Sequence, residues 1–208
     1  FGMAVPDWPV FASGTVNFLG DIIALAVAER PEIASKAASL IRVDIQPLEP
    51  LLSMEEAVGK GEILREINYS YKDIESVRNE PGLLVLRRHY ETSLVEHGYL
   101  EPECVVAYPD GNGVAVCTPT QAPFEHRKQI AAVLGLDISD VRYIVTPLGG
   151  GFGGKGDVTI QPMAAIAALD LHRPVKITLS RHESLLISTK KHPYHMDYEV
   201  GISLQGLI

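Results

Sequence analysis

The apolar positions of this chain fall into short blocks whose spacing switches between strand and helix periods. Residues 21–28 make an unbroken apolar run after Asp21 and predict a buried strand. Pro31 sits where a helix starts, and Ile33, Ala37, Leu40 and Ile41 recur at helical spacing. Val43-Asp44-Ile45 then returns as a strand, closed by Pro47 and Pro50. A strand, helix and strand of this size form a small α/β layer.

Residues 53–81 are polar and mixed in charge, Gly59 and Gly61 break any long period, and Asn79-Glu80-Pro81-Gly82 is a turn signal. A domain boundary is therefore expected near Gly82, with one domain over residues 1–82 and another over 83–208. The second begins with a strand at 83–90, followed by strands at 104–108 and 113–118 joined by Pro109-Asp110-Gly111-Asn112. A helix over 124–134 follows, with Gly135 as its C-terminal cap. A strand at 141–146, a glycine-rich segment, an apolar helix over 161–170 and a strand at 175–179 complete it. The fold class is α+β, with no internal repeat and no low-complexity tract.

With 46% apolar residues the chain can bury a substantial core. Its longest apolar runs fall well short of the roughly 20 residues needed to cross a bilayer, so no membrane association is expected. A net charge of −8, with no cationic run longer than a pair such as Lys190-Lys191, argues against a nucleic-acid partner. Cys104 and Cys117 lie in apolar strand-like runs and are read as reduced core thiols of a cytoplasmic protein. The sequence starts at Phe1, lacks the pattern of a signal peptide and stops in what looks like half a hairpin at 203–208. It reads as an excerpt of a longer chain.

The most informative stretch is Leu148-Gly149-Gly150-Gly151-Phe152-Gly153-Gly154-Lys155-Gly156-Asp157, directly after a strand. So many glycines cost conformational entropy and signal a backbone that approaches another group closely. Gly149, Gly151 and Gly154 fit the dinucleotide pattern G-x-G-x-x-G, but no doubly wound sheet surrounds them, and Ser180-Arg181 follow the next strand where an acid would be wanted. Gly149, Gly154 and Lys155 also fit a phosphate loop, except that Gly156 stands where a magnesium-binding hydroxyl belongs. A tight packing loop explains one or two glycines but not this density. Phe152 among them suits a loop whose N–H groups approach a large, anionic ligand while the ring fills a gap beside it.

The stretch Gly149 to Lys155 resembles the G-G-G-F-G-G-K loop of the xanthine dehydrogenase and aldehyde oxidase molybdenum hydroxylases. Other segments agree in order: Tyr99-Leu100-Glu101-Pro102-Glu103, Thr118-Pro119-Thr120-Gln121-Ala122-Pro123, Arg181-His182-Glu183-Ser184 and Lys191-His192-Pro193 are similar to that family's Y-L-E-P/T, S/T-T-Q, R-x-E and R-H-P elements. Residues 14–56 resemble the small α/β hammerhead domain ahead of its cofactor domain. The resemblance implies a hammerhead-like domain over 1–82 and the first portion of a molybdopterin-binding domain over 83–208. The cofactor it implies is molybdenum-molybdopterin, with the cytosine dinucleotide among the forms. It hydroxylates an aldehyde or N-heterocycle with oxygen from water, and electrons leave through iron–sulfur and FAD groups on other domains or subunits of an oligomeric enzyme.

By position, the resemblance makes Gln121 an indirect metal contact that donates its amide to the metal's oxo ligand. A residue that merely caps the loop ahead of Pro123 is the plainer alternative for Gln121. Gly150, Gly151, Phe152, Gly153 and Gly154 would line the cofactor, with the Phe152 and Gly153 N–H groups available to ligand oxygens; a core ring is the plainer reading of Phe152. Purine oxidisers carry a Glu after the loop lysine, where this sequence has Gly156, with Asp157 next to it. Aldehydes and other heterocycles are therefore at least as plausible as xanthine. The family's catalytic Glu lies downstream of this segment, so the piece is not expected to complete the reaction alone.

Other residues take plainer roles. Glu101 and Glu103 alternate on a strand and read as surface or turn residues, Lys155 reads as a loop stabiliser or solvent-facing cation, and His182, His192 and His195 lack zinc-ligand partners. Two other function classes remain open: a noncatalytic binding or assembly module that kept the loop, and a dinucleotide-binding enzyme.

Overall fold

In a computed structural model, residues 1–71, 73–78 and 80–206 are described. The helices are α1 (Pro31–Ser39), α2 (Met54–Gly59), α3 (Ile74–Arg78), α4 (Pro123–Leu134), α5 (Gln161–Leu171) and α6 (Arg181–Ile187). The strands are β1 (Leu84–Thr92), β2 (Cys104–Asp110), β3 (Gly113–Thr118), β4 (Val141–Val145), β5 (Val175–Thr178) and β6 (Tyr194–Ile202). By compactness the chain divides into one unit of residues 1–41 and 93–193 and another of residues 42–92 and 194–208. Gly82 lies in the second of these, shortly before β1.

The first unit is built on a four-stranded sheet of order β4-β3-β2-β5. β2 and β3 form an antiparallel hairpin in which Asp110 pairs with Gly113, so Gly111 and Asn112 alone make the connection, Gly111 at φ 58°. β5 joins β2 antiparallel, whereas β4 runs parallel to β3. The crossover from β3 to β4 is α4, which starts on Pro123 and ends on Gly135 in the left-handed region. α5 is apolar all round because it lies inside the unit, with seven of its residues buried.

Val105, Ala107, Val114, Val116, Val141, Ile130, Ile160 and Ala164 form the core between the sheet and these two helices. Each fully buried valine or isoleucine contributes roughly 1.5–3 kcal/mol. Ile130→Ala would cost about 2–5 kcal/mol by opening a cavity.

In the second unit β1 and β6 pair antiparallel over their whole length, from Leu84 opposite Ile202 to Thr92 opposite Tyr194. Glu199 accepts from both Arg78 and Arg87.

Several expectations change. Residues 21–28 and 43–45 are not strands, because among the described residues no neighbouring segment supplies a ladder; Ile23, Val27, Val43 and Ile45 are exposed there. The helices α2, α3 and α6 and the strand β6 are additional to those expected. α6 begins with a capping box, Ser180 and Glu183 satisfying each other's main-chain N–H groups. Asn79 of the expected turn, and Leu207 and Ile208 of the expected half-hairpin, lie outside the described residues.

Candidate functional site

β3 and β4 are parallel neighbours, so the segments that leave their C-terminal ends emerge side by side. After β3 comes Pro119-Thr120-Gln121; after β4 comes Thr146-Pro147-Leu148 and the glycine loop. Thr146 N–H donates to the Thr118 carbonyl at 3.3 Å, and Gln121 N–H to the Lys155 carbonyl at 3.0 Å, stitching the two segments together.

Gln121 faces the loop with its side chain as well. Its Oε1 accepts from the Gly153 N–H at 3.0 Å and the Lys155 N–H at 3.3 Å. Both neighbours are donors, so the amide orientation is fixed: the oxygen turns inward and Nε2 turns away, without a partner among the described residues. A side chain on Gly151 would put its Cβ 2.4 Å from that oxygen, which is why position 151 is glycine. Gly150 is half-buried, Gly151 and Gly154 are buried, and Phe152 and Gly153 are exposed.

Phe152 takes φ 51°, a left-handed conformation that costs a residue with a Cβ, and its ring is 75% exposed. His172 takes a similar φ of 50° as the C-terminal cap of α5, whereas Phe152 does so inside the glycine loop. The core reading of Phe152 is set aside by that exposure. The Phe152 N–H has no partner among the described residues, but the Gly153 N–H is taken by Gln121, correcting the expectation that both are available.

Beneath the loop lies a polar layer. The Lys155 side chain is only 3% exposed, and its Nζ donates to Glu101 Oε2 at 2.6 Å. The same oxygen accepts from the Gly149 N–H at 2.8 Å. Partial burial would raise the Glu101 carboxyl, but the hydrogen bonds from Lys155 and Gly149 and the lysine charge outweigh it and hold it below the usual carboxylate range. Lys155 also sits 4.8 Å from the centre of the Tyr99 ring, whose hydroxyl donates to Glu103. Burial, helped by Glu103, drives the Tyr99 phenol pKa well up. Glu101 and Glu103 are thus half-buried and buried partners of the loop layer rather than surface residues. Lys155 is inside, not solvent-facing.

His126 of α4 is buried and ties the loop exit to the sheet. One ring nitrogen, Nε2, lies 2.8 Å from the Gly156 carbonyl, which only accepts, so Nε2 carries the proton. Nδ1 then accepts from the Tyr143 hydroxyl of β4 at 2.9 Å. Burial is the main influence on this imidazole and lowers its pKa against the opposing Gly156 carbonyl and Asp157. His126 with Gly156, and Glu101 with Lys155, join residues far apart in sequence, and no local signal announces them.

Among the described residues no group of three or more His, Cys, Asp or Glu is placed to hold a metal ion, and no helix is long and apolar enough to cross a membrane. The donors at the loop are instead uncharged: the Gln121 amide and the Phe152 N–H. Uncharged N–H donors of this kind suit an anionic ligand.

The family model described as a molybdopterin cofactor-binding domain matches residues 60–208. A probable xanthine dehydrogenase subunit of Bacillus subtilis is 35% identical over 99% of this chain and 29% of its own length. The large molybdopterin subunit of nicotinate dehydrogenase from Eubacterium barkeri is 32% identical over 99% of this chain and 50% of its own length. The chain therefore spans half or less of these relatives. In fold it is similar to the aldehyde oxidoreductase of Desulfovibrio desulfuricans, with a TM-score of 0.86 over 96% of this chain and 23% of the other, at 22% identity.

Proposed function

We infer that this chain, which belongs to the molybdopterin cofactor-binding domain family of the molybdenum hydroxylases, contributes one wall of the molybdenum-pterin site of an oxidoreductase. The observation that carries the reading is the pinned Gln121: its oxygen is held by two loop N–H groups, leaving Nε2 to an oxygen ligand of the metal. When bound, the molybdenum-pterin group supplies oxidative hydroxylation of an electron-poor carbon, with water as the oxygen source. Gln121 orients the group without adding charge, Phe152 offers its N–H and shields one side with its ring, and the half-buried Gly150, the exposed Gly153 and the close-packed Gly151 and Gly154 let the loop approach.

The reading extends to the rest of the enzyme. Iron–sulfur and FAD groups on other domains or subunits accept the electrons, the assembly is oligomeric and cytoplasmic, and the cytosine dinucleotide is one pterin form to test. Residues 1–82 form a hammerhead-like domain and 83–208 the cofactor domain, although the family match from residue 60 favours an earlier start for the latter. Gly156 stands at the position where purine oxidisers carry a Glu, with Asp157 the neighbouring carboxylate, which favours an aldehyde or a non-purine heterocycle as substrate. The same glycine is the observation behind a second reading, a noncatalytic module that kept the loop.

The test is elemental analysis for molybdenum, with pterin release, on the full-length protein from cells supplied with molybdate. Near-stoichiometric metal and pterin are expected. A folded protein free of both, from cells competent to make the cofactor, favours the noncatalytic module.

A further inference from the structure

The glycine loop is closed by one carboxylate. Glu101 Oε2 accepts from the N–H of Gly149, where the loop opens, and from Nζ of Lys155, where it ends. The Glu101 N–H in turn donates to the Gly149 carbonyl at 3.2 Å. The fit is mutual, because a Cβ on Gly149 would lie 2.6 Å from the Cβ of Glu101.

Lys155 is committed to this arrangement. Its ammonium is buried, with Glu101 as its ion-pair partner and the Tyr99 ring beside it. The Lys155 main chain meanwhile donates to Gln121 Oε1 and accepts from the Gln121 N–H. One residue thus joins the carboxylate beneath the loop to the amide at its edge. Arg181 of α6 steadies the far side, donating to the Leu100 carbonyl at 2.7 Å.

We propose that Glu101 and Lys155 form a latch, and that Glu101 is a positioning residue for the cofactor site, acting through the loop and Gln121 without touching the cofactor. The positioning role rests on the function proposed above; the latch rests on the geometry alone. With the latch closed, the Gly149-to-Lys155 span is fixed and the Gln121 amide is held in one orientation. Replacing Glu101 by Gln keeps the length of the side chain and an accepting oxygen but removes the charge that balances a buried ammonium, which favours opening of the loop to hydrate it.

The experiment uses the full-length protein from molybdate-supplied cells, as wild type, Glu101→Gln, Lys155→Met and the double variant. Amide exchange of the loop peptide is measured against α5 as an internal reference, together with molybdenum content and the Mo(V) electron paramagnetic resonance spectrum after partial reduction. Glu101→Gln is expected to speed loop exchange at least about tenfold with α5 unchanged, and to alter the Mo(V) spectrum or lower metal content at least about threefold. The double variant, with no buried cation, is expected to recover most of the loop protection. If Glu101→Gln does not fold, Lys155→Met alone carries the test, with faster loop exchange as the supporting result. Wild-type loop exchange and an unchanged Mo(V) spectrum in the folded single variants overturn the latch. Wild-type protein without molybdenum overturns the positioning role together with the proposed function, while loop exchange still decides the latch.

Discussion

The side-chain oxygen of Gln121 lies 3.0 Å from the main-chain nitrogen of Gly153, and this bond sets which end of the amide faces the loop. Gln121 consequently has two separable jobs: an acceptor for the loop and a donor for a ligand. Gln121→Glu keeps the acceptor and loses the donor, so loop protection is expected to stay near wild type. Its turnover or metal content falls about 10–100-fold, the range typical of residues that orient metal-site ligands. Gln121→Ala loses both and additionally destabilises the loop by about 1–3 kcal/mol. Metal analysis paired with loop exchange separates the two variants; equal metal and turnover in Gln121→Glu and wild type would remove the donor role.

How much of this is legible in the sequence follows from what is local. The strands β2, β3, β4 and β5 and the helices α4 and α5 announce themselves because each carries a local apolar signal, a continuous run in α5, bounded by turn or cap residues such as Gly111 and Gly135. Residues 21–28 carry the same apolar signal yet are not a strand, since a strand exists only with a ladder partner. α6 is legible through its Ser180/Glu183 capping box, a local signal hidden by the fit of Arg181 and Glu183 to a family motif. The site divides the same way. Glycine density marks the loop, but Glu101, Lys155 and His126 take their roles from contacts spanning 30 or more residues. Glu101 and Glu103 look like alternating surface residues of a strand for that reason, whereas both precede β2.

His126 gives the loop exit an acid sensitivity whose sign is fixed. Its folded-state pKa is depressed from the ordinary 6.5, so the unfolded or opened chain takes up the proton first. The stabilisation is complete above 6.5 and is lost as pH falls from there through the folded value, at up to about 1.4 kcal/mol per pH unit. Amide exchange over residues 118–121 and 153–157, corrected for the intrinsic pH dependence of exchange, is expected to show local opening as pH is lowered through this window. His126→Gln, which can keep a donor toward the Gly156 carbonyl, is expected to flatten the profile. An unchanged slope in that variant would assign the effect to another group.

Gly156 is the position where a substrate carboxylate can be tested directly. It does not take a left-handed φ, and an added Cβ would meet only the Gly153 carbonyl oxygen, at 3.1 Å. Gly156→Glu is therefore expected to fold at a cost near or below about 1 kcal/mol. A carboxylate hydrogen-bonding a purine is worth about 1.5–3 kcal/mol, so the ratio of kcat/KM for xanthine over an aldehyde is expected to rise at least about tenfold. A wild-type protein that already prefers xanthine would sink the substrate reading.

Phe152 separates stability from function most cleanly, because the two are expected to respond differently to one substitution. At φ 51° its backbone stores roughly 1 kcal/mol that glycine would release. Glycine also frees the unfolded chain, returning a comparable amount, and the 75% exposed ring gives up little buried surface. Phe152→Gly is thus expected to leave thermal stability within about 1 kcal/mol of wild type, with the loop still latched by Glu101. If the ring shields the cofactor, the same variant loses molybdenum or turnover while its fold is untouched, and Phe152→Tyr, which keeps the ring, retains them. A Phe152→Gly protein as well loaded and as active as wild type would take the ring out of the site and leave the strained φ at position 152 without a functional reason.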